Sequence, residues 1–370
     1  MGKIIFVGLD VDDNLFHGAA VDQAGQIIAE FSCKPQCRAL ITRLQKLQDV
    51  QAASLKICYE STYLGFSLCR DLRNSKFDCE VVATSLIPEI SGKKVKTDRL
   101  DSKKLAKYFA SGLLTIVRVP GEEDEAERDL IRSRLFAVKQ HRAVKQHILS
   151  VCRRMNLDFK QETKFKKHWT GVHLNWLHAR INGLTSSSLR RNIQLLLQQY
   201  EHNQRLIDAY DIEITQLAQS EKYTKKVEAL SVYRGISTTT GMTLITEIGD
   251  ITRFDHPKRL TSYFGMDITE YSSGGKQKQY RMTKMGNAYG RCVVIEACQK
   301  VFCPPRVCYD LRRRREGVDP SFTSIADRCM ERLYRKSNRM LHAGKNRNVT
   351  KVACAREMLG FIWESLRAAA

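Results

Sequence analysis

The chain has 370 residues and carries 61 Lys and Arg against 40 Asp and Glu, a formal charge of +21 at pH 7. Its 27% charged and 43% hydrophobic content is that of a globular chain with room for two or three modules, which excludes a disordered protein. The cationic excess points to a polyanion such as nucleic acid; a membrane is disfavoured, because there is neither a basic amphipathic helix nor an apolar run of about 18 residues.

Residues 3–9 (KIIFVGL) form a continuous apolar run, expected as a central strand buried on both faces. No leader-like pattern of basic, apolar and small residues opens the chain, so the expected location is the cytoplasm. Residues 16–31 read as two paired strands around a turn at Gln23-Ala24-Gly25. Helical spacing of Leu40, Ile41, Leu44 and Leu47 predicts a helix over 37–50, followed by a strand at 55–60, a helix at 62–74 and a strand at 79–84. A basic, proline-containing loop at 86–96 leads to a helix at 97–112, so the predicted order is βββαβαβα within a first domain at 1–120.

A second segment, 121–222, is expected to be helical. GEEDEAE suits a helix N-terminus and opens a long helix to about residue 155. Ile193, Leu196, Tyr200, Asn203, Ile207, Tyr210, Ile214 and Leu217 recur at steps of three and four, a coiled-coil seam that can pair within the chain or between chains. A third segment, 223–370, begins with a helix, a tight turn at Arg234-Gly235-Ile236 and a second helix. Such a helix–hairpin–helix presents backbone N–H groups to a phosphate. A short helix near 257–264, a polar glycine-rich loop at 272–276 and further helices complete the chain. Residues 306–351 are rich in Lys and Arg, including Arg312-Arg313-Arg314-Arg315, and are expected to face phosphate. The twelve cysteines include no CxxC pair, and Cys292, Cys298, Cys303 and Cys308 fit no common zinc spacing. Reduced, mostly buried thiols are expected.

The chemistry-bearing signal is a set of four carboxylates. Asp10 falls at the end of the first strand and Glu60 at the end of the fourth, while Asp98 and Asp101 lie three apart on one helix face. Each alone has a structural reading: a strand-end cap for Asp10, a surface acid at Glu60, a helix N-cap at Asp98 and a dipole partner at Asp101. If the first strand lies beside the fourth, the set converges, and converging carboxylates need cations to neutralise them. Hard oxygen donors suit Mg2+ or Mn2+, and two such ions can serve phosphodiester chemistry. Asp12 and Asp13 are expected to shape the turn that follows the strand.

These residues resemble a known family. GLDVDD, CYE at Glu60 and KTDRLDSKKLA (96–106), with RGIS, EIGDITRF, LTSYFGM, YSSGG and YRMTKMGNAYGR between 234 and 291, resemble the DEDD transposases of insertion-sequence 110 type, relatives of the Piv invertases. The resemblance implies an RNase H-like, RuvC-like α/β first domain that holds metal on Asp10, Glu60, Asp98 and Asp101. It implies a mostly α-helical C-terminal transposase domain whose serine, here Ser273, attacks DNA and is held as a phosphoserine link. The family has an acid before that serine where this chain has Ser272, which leaves Ser272 and Tyr271 open as attackers. Arg281, Lys284 and Arg291 match family positions and are candidates for phosphate contact, as are Arg234 and Gly235 at the hairpin turn, which lacks the family's proline and second glycine. The resemblance further implies a structured guide RNA beside the DNA substrates, and dimers that pair into a tetramer. Phe159, Phe165 and Trp169 among Lys160, Lys164, Lys166 and Lys167 either stack on bases or pack as a helix edge. Two other functions stay open: a RuvC-type resolvase nuclease that uses the same carboxylates with water, and a nucleic-acid-binding scaffold with a decayed site.

Overall fold

The computed structural model describes residues 2–61, 65–88, 98–273 and 276–370, without the side chains of 98–100, 270–273 and 276–281. Two compact units, Met1–Glu122 and Glu123–Ala370, make up the chain.

The first unit is a mixed sheet with helices on both faces. Its elements are β1 (Ile4–Val11), β2 (Phe16–Val21), β3 (Ile27–Cys33), α1 (Cys37–Gln51), β4 (Ser54–Glu60), α2 (Ser67–Asn74), β5 (Asp78–Val82), α3 (Asp98–Ala110) and β6 (Ile116–Val117). The strand order is β3-β2-β1-β4-β5-β6. Strands β1 to β3 form an antiparallel meander, β4 and β5 run parallel to β1, and β6 returns antiparallel. The apolar run in β1 is therefore buried on both sides, as a central strand flanked by β2 and β4 requires. Ile5, Val7 and Leu9 face α1 and α2, together with Leu40, Leu44 and Leu72. Each of these is fully buried, and such burial contributes roughly 1.5–3 kcal/mol per side chain. On the other face, Ala106 of α3 packs with Ala19 and Val21, and Leu105 with Cys58 and Val82. The helix predicted over 62–74 begins at Ser67, and residues 62–64 of that prediction lie outside the described residues.

The second unit is helical apart from one strand pair. Its elements are α4 (Glu122–Arg154), α5 (Phe159–Glu162), α6 (Gly171–Asn182), α7 (Ser187–Ala218), α8 (Thr224–Ser231), α9 (Thr238–Ile248), α10 (Pro257–Tyr263), β7 (Ile268–Ser273), β8 (Lys276–Met282), α11 (Ala288–Ala297), α12 (Tyr309–Arg315), α13 (Pro320–His342) and α14 (Arg347–Ala369). Helices α4 and α7 pack antiparallel. Lys222 just past α7 pairs with Asp124, Arg134 with Asp211, the His141 ring stacks on Tyr200 at 4.7 Å, and Ile148 packs with Ile193. Of the seam positions, Ile193, Tyr200, Asn203, Ile207 and Ile214 are buried against this hairpin. Leu196, Tyr210 and Leu217 are only partly so, and Leu197 and Ala218 are buried beside them. The remaining core gathers α8, α9, α10, α11, α13 and α14 around Tyr233, Phe264, Phe322 and Ile362.

Of the polar glycine-rich loop predicted at 272–276, residues 272, 273 and 276 belong instead to paired strands, and 274–275 lie outside the described residues. Strands β7 and β8 pair antiparallel, with Glu270 opposite Gln279 and Ser273 opposite Lys276. Backbone hydrogen bonds between the strands suffice for such a ladder whatever the polarity of the side chains, which is why an apolar pattern did not announce it.

Candidate active site and nucleic-acid interface

The first group of candidate residues assembles at one end of the sheet. Leu9 of β1 lies opposite Tyr59 of β4 in parallel register, so Asp10 and Glu60 follow side by side at the strand ends. Neighbouring strands are about 4.8 Å apart, and alternation puts Asp10 on the same face as Phe6 and Gly8, and Glu60 on that of Cys58. That is the face covered by α3, since the Phe6 ring meets Phe109 edge-on at 5.6 Å and Cys58 packs on Leu105. Glycine at position 8 permits the approach: a Cβ there would stand 2.4 Å from the backbone of both Ala106 and Ser102. Phe109 lies over Phe6 and Ser102 over Gly8, so α3 runs antiparallel to β1. Its first turn, from Asp98 to Asp101, therefore arrives at the strand end occupied by Asp10.

The Asp98 side chain lies outside the described residues. Among the described residues no three His, Cys, Asp or Glu side chains form a metal-holding cluster. Cys58 beneath Glu60 is fully buried against Leu105, and burial first and then the Glu60 charge push its thiol well above the usual range. Asp12 accepts from the backbone N–H of Asn14 at 2.9 Å and from its side-chain amide at 3.1 Å, closing the turn after β1. What the arrangement offers is an all-oxygen donor set at the mouth of two parallel strands, on the side where a helix delivers its own acids.

The second group sits around the β7–β8 hairpin. Ser273 ends β7, and the side chains of Tyr271, Ser272 and Ser273 lie outside the described residues. The base of the hairpin is closely tied. Thr283 N–H donates to Asp267 O at 2.9 Å, Lys284 N–H to Gly265 O at 2.9 Å and Asn287 N–H to Tyr263 O at 2.8 Å. Gly265 (φ +61°) and Gly286 (φ +148°) occupy left-handed backbone where a Cβ would fall within 2.8 Å of Met285 and 2.4 Å of Tyr263 O, respectively. Under this root lies Glu247, whose side chain is fully buried. Arg132 of α4 grips its carboxylate with both Nε (2.7 Å) and Nη2 (2.8 Å). Asn287 Nδ2 donates to the same carboxylate at 2.5 Å, and the Tyr263 hydroxyl donates to the Glu247 backbone carbonyl at 2.8 Å. Asn287 also caps α11 by accepting from Gly290 N–H at 3.0 Å. Glu247, Arg132 and Asn287 were not singled out from the sequence. The available signal was an acid in the otherwise apolar GMTLITEI helix, where a buried charge requires a partner.

The cationic candidates divide. Arg234 spends its guanidinium inside the fold, donating to Pro304 O at 2.8 Å, Lys300 O at 2.7 Å and Cys303 O at 3.1 Å. Gly235 (φ +97°) approaches α11 so closely that a Cβ would lie 2.1 Å from Ala297 O. Arg291 donates to Phe264 O at 2.8 Å, Lys284 is exposed at φ +58°, and the Arg281 side chain lies outside the described residues. In the arginine run, Arg312 and Arg313 are exposed, whereas Arg314 donates to the carbonyls of Ser231 and Ile236, and Arg315 to that of Val232. The basic run thus also seals the end of α8. Phe159 and Trp169 are packed among His173, Trp176 and Tyr200, while Phe165 is exposed. All twelve cysteines are free thiols, and among the described residues no helix is long and apolar enough to cross a membrane.

Comparison with known proteins bears on both groups. A profile described as "Transposase IS116/IS110/IS902 family" matches residues 227–307, and a DEDD transposase profile of IS110 matches residues 7–156. The chain is 31% identical over 369 residues to the y4qE protein of Sinorhizobium fredii, which carries a transposase name, covering 98% of this chain and 89% of that one. It is 26% identical over 344 residues to the transposase for insertion sequence element IS1533 of Leptospira borgpetersenii, covering 91% and 96%. Identity to the transposase for insertion sequence element IS1111A of Coxiella burnetii is 20% over 304 residues, covering 81% and 78%.

Proposed function

The chain belongs to the IS116/IS110/IS902 family of transposases, enzymes that act on DNA, and from that premise we propose that it cuts and rejoins strands with two half-sites, one in each unit. What supports this reading is the parallel β1–β4 register, which runs to Leu9 opposite Tyr59 and so sets the strand ends bearing Asp10 and Glu60 next to each other, together with α3, which carries Asp98 and Asp101 in its first turn. This strand order and carboxylate placement suit an RNase H-like, RuvC-like domain. The all-oxygen donor set fits Mg2+ or Mn2+, which would be held by Asp10, Glu60, Asp98 and Asp101. Bound there, a divalent ion supplies Lewis-acid stabilisation of the charge that develops on phosphate.

In this reading the Ser273 hydroxyl is the nucleophile. Its Oγ bonds to phosphorus as the bond to the leaving strand's oxygen breaks, and the serine proton passes to a base while the leaving oxygen becomes a hydroxyl. The phosphoserine ester keeps the bond energy, so a hydroxyl of another strand can attack it and release the serine without ATP. Lys284, Arg281 and Arg291 would lie along the DNA backbone near the hairpin; Arg234 and Gly235 would act there only through backbone amides, since the Arg234 guanidinium is occupied. A structured guide RNA and a dimer-to-tetramer assembly belong to the same reading.

Trapping of a covalent protein–DNA adduct tests it. Ser273→Ala should abolish both adduct and strand exchange while divalent-ion binding persists, and Asp10→Asn should abolish both while weakening ion binding. Strand exchange by Ser273→Ala would refute the nucleophile, and metal-dependent hydrolysis without any adduct would favour a resolvase-type nuclease.

A further inference from the structure

The geometry points to a nucleobase-binding pocket at the far end of the α4–α7 hairpin, built by α5, α6 and the end of α4, which takes an unpaired base of a single-stranded nucleic acid. The inference rests on the reading of the chain as an enzyme of nucleic acids, but none of its residues takes part in the chemistry proposed above. The cavity measures about 300 Å3, at the lower end of the range for ligand pockets. Phe159 and His173 form its floor, each 1% exposed, with ring centroids 4.8 Å apart. His168 and Trp176, both half-buried, form the walls that solvent reaches.

Both walls are held in place before any ligand arrives. Trp176 Nε1 donates to Glu162 at 3.0 Å, and Arg180 pairs with the same carboxylate, which fixes the plane of the indole. The imidazoles are fixed by their protons. Trp169 backbone N–H can only donate, so His173 Nδ1 accepts from it at 3.2 Å and the His173 proton sits on Nε2. That Nε2–H donates to His168 Nδ1 at 3.1 Å, which leaves the His168 proton on Nε2. His168 is thereby a set hydrogen-bond donor. The His–His bond and the Trp169 N–H together occupy three of the four ring nitrogens, which argues against a metal and for a neutral organic ligand.

The rim is cationic. Arg153 and Lys160 are exposed at the mouth, and Lys164, Lys166 and Lys167 are exposed on the segment between α5 and α6. The two nearby acids are engaged: Asp158 accepts from the N–H groups of Lys160 and Gln161, and Glu162 holds Trp176 and Arg180. A flat aromatic wall, one preset edge donor and a cationic rim together match a base with its flanking phosphates. The pattern reads no sugar, so the strand can be DNA or RNA.

Photo-crosslinking on the full chain tests this, with fluorescein-labelled oligothymidylate carrying 5-iododeoxyuridine and oligouridylate carrying 5-iodouridine. Crosslinks should map to peptides within 153–180. Trp176→Ala should weaken binding about 5- to 150-fold, the effect of one lost base stack, while Trp176→Phe restores most of it. Arg153→Ala with Lys160→Ala, both at exposed positions, should lower the salt-dependence slope by about 0.7 per cation. Crosslinking of both oligonucleotides, or of only one, supports the pocket and identifies the strand. Crosslinks confined to other segments, with affinity unchanged in the rim variant, overturn it. An intact adduct assay beside a failed crosslink would sink the pocket and spare the catalytic reading; the reverse result would do the opposite.

Discussion

Substituting Glu247 tests whether the hairpin root is held by charge. Glu247→Ala removes a carboxylate that is fully buried and leaves the Arg132 guanidinium, 32% exposed, without the partner that binds both Nε and Nη2. Asn287 loses its acceptor as well. Breaking a buried pair from one side costs about 3–5 kcal/mol, because the surviving charge stays desolvated. At about 2–4 °C per kcal/mol for a unit of this size, the melting temperature should fall by roughly 6–20 °C. The measurement is unusually clean, since all three tryptophans, Trp169, Trp176 and Trp363, lie in the second unit and their fluorescence follows that unit alone. Urea unfolding read by tryptophan emission gives the loss directly. A double-mutant cycle with Arg132→Ala should show the pair costing less than the sum of the singles by at least about 1 kcal/mol. A Glu247→Ala loss below about 1 kcal/mol at unchanged m, or strict additivity with Arg132→Ala, would refute the reasoning.

Two further outcomes follow from close approach and from burial. Gly8→Ala places a Cβ 2.4 Å from the backbone of Ala106 and Ser102. It should push α3 off the sheet at a cost of about 1–3 kcal/mol and slow metal-dependent cleavage on the order of 100-fold; a variant as stable and active as the parent would refute the placement of the carboxylates. His173 is held down to a pKa of about 4, by burial first and by His168 second. As the folded value lies below that of the unfolded chain, stability from this group is complete above pH 6.5 and is lost as pH falls toward about 4. An NMR titration of the ring should show it neutral at pH 5, and an ordinary midpoint near 6.5 would contradict the packing.

The first unit was legible because its patterns and its burial agree. KIIFVGL reads as a strand apolar on both faces, and both faces are covered, by α1 and α2 on one side and by α3 on the other. The placement of Asp10 beside Glu60 could be anticipated only by assuming which strands were neighbours, and the parallel β1–β4 register supplies that neighbour. Gly8 could not be read in the same way: a glycine in a strand reports that something comes close, not what. The seam of α7 was legible as periodicity but silent about its partner, since a stripe from Ile193 to Ile214 buries equally well against α4 or against another chain. The pairs Arg134–Asp211 and His141–Tyr200 decide for α4 at those positions.

The arginines and the hairpin show where sequence reasoning fails, and for a common reason. Polar side chains read as solvent-facing, yet a polar group can also be spent on backbone. Arg234, Arg314 and Arg315 spend their donors on carbonyls at element ends, which no charge count distinguishes from a phosphate-facing surface. The segments ITEYSS and KQKQYRM lack apolar alternation, but their amides and carbonyls satisfy one another across the pair. The residue signal that did exist was a Gly-Gly dipeptide between two runs free of helix-forming periodicity, a sequence pattern typical of hairpins. That correction matters for the chemistry. With Ser273 paired to Lys276 and the hairpin root fastened to Gly265, Tyr263 and Glu247, a nucleophile at this position would ride on a braced strand rather than a free loop. Its presentation to phosphate would then depend on the buried Glu247 network as much as on the serine itself.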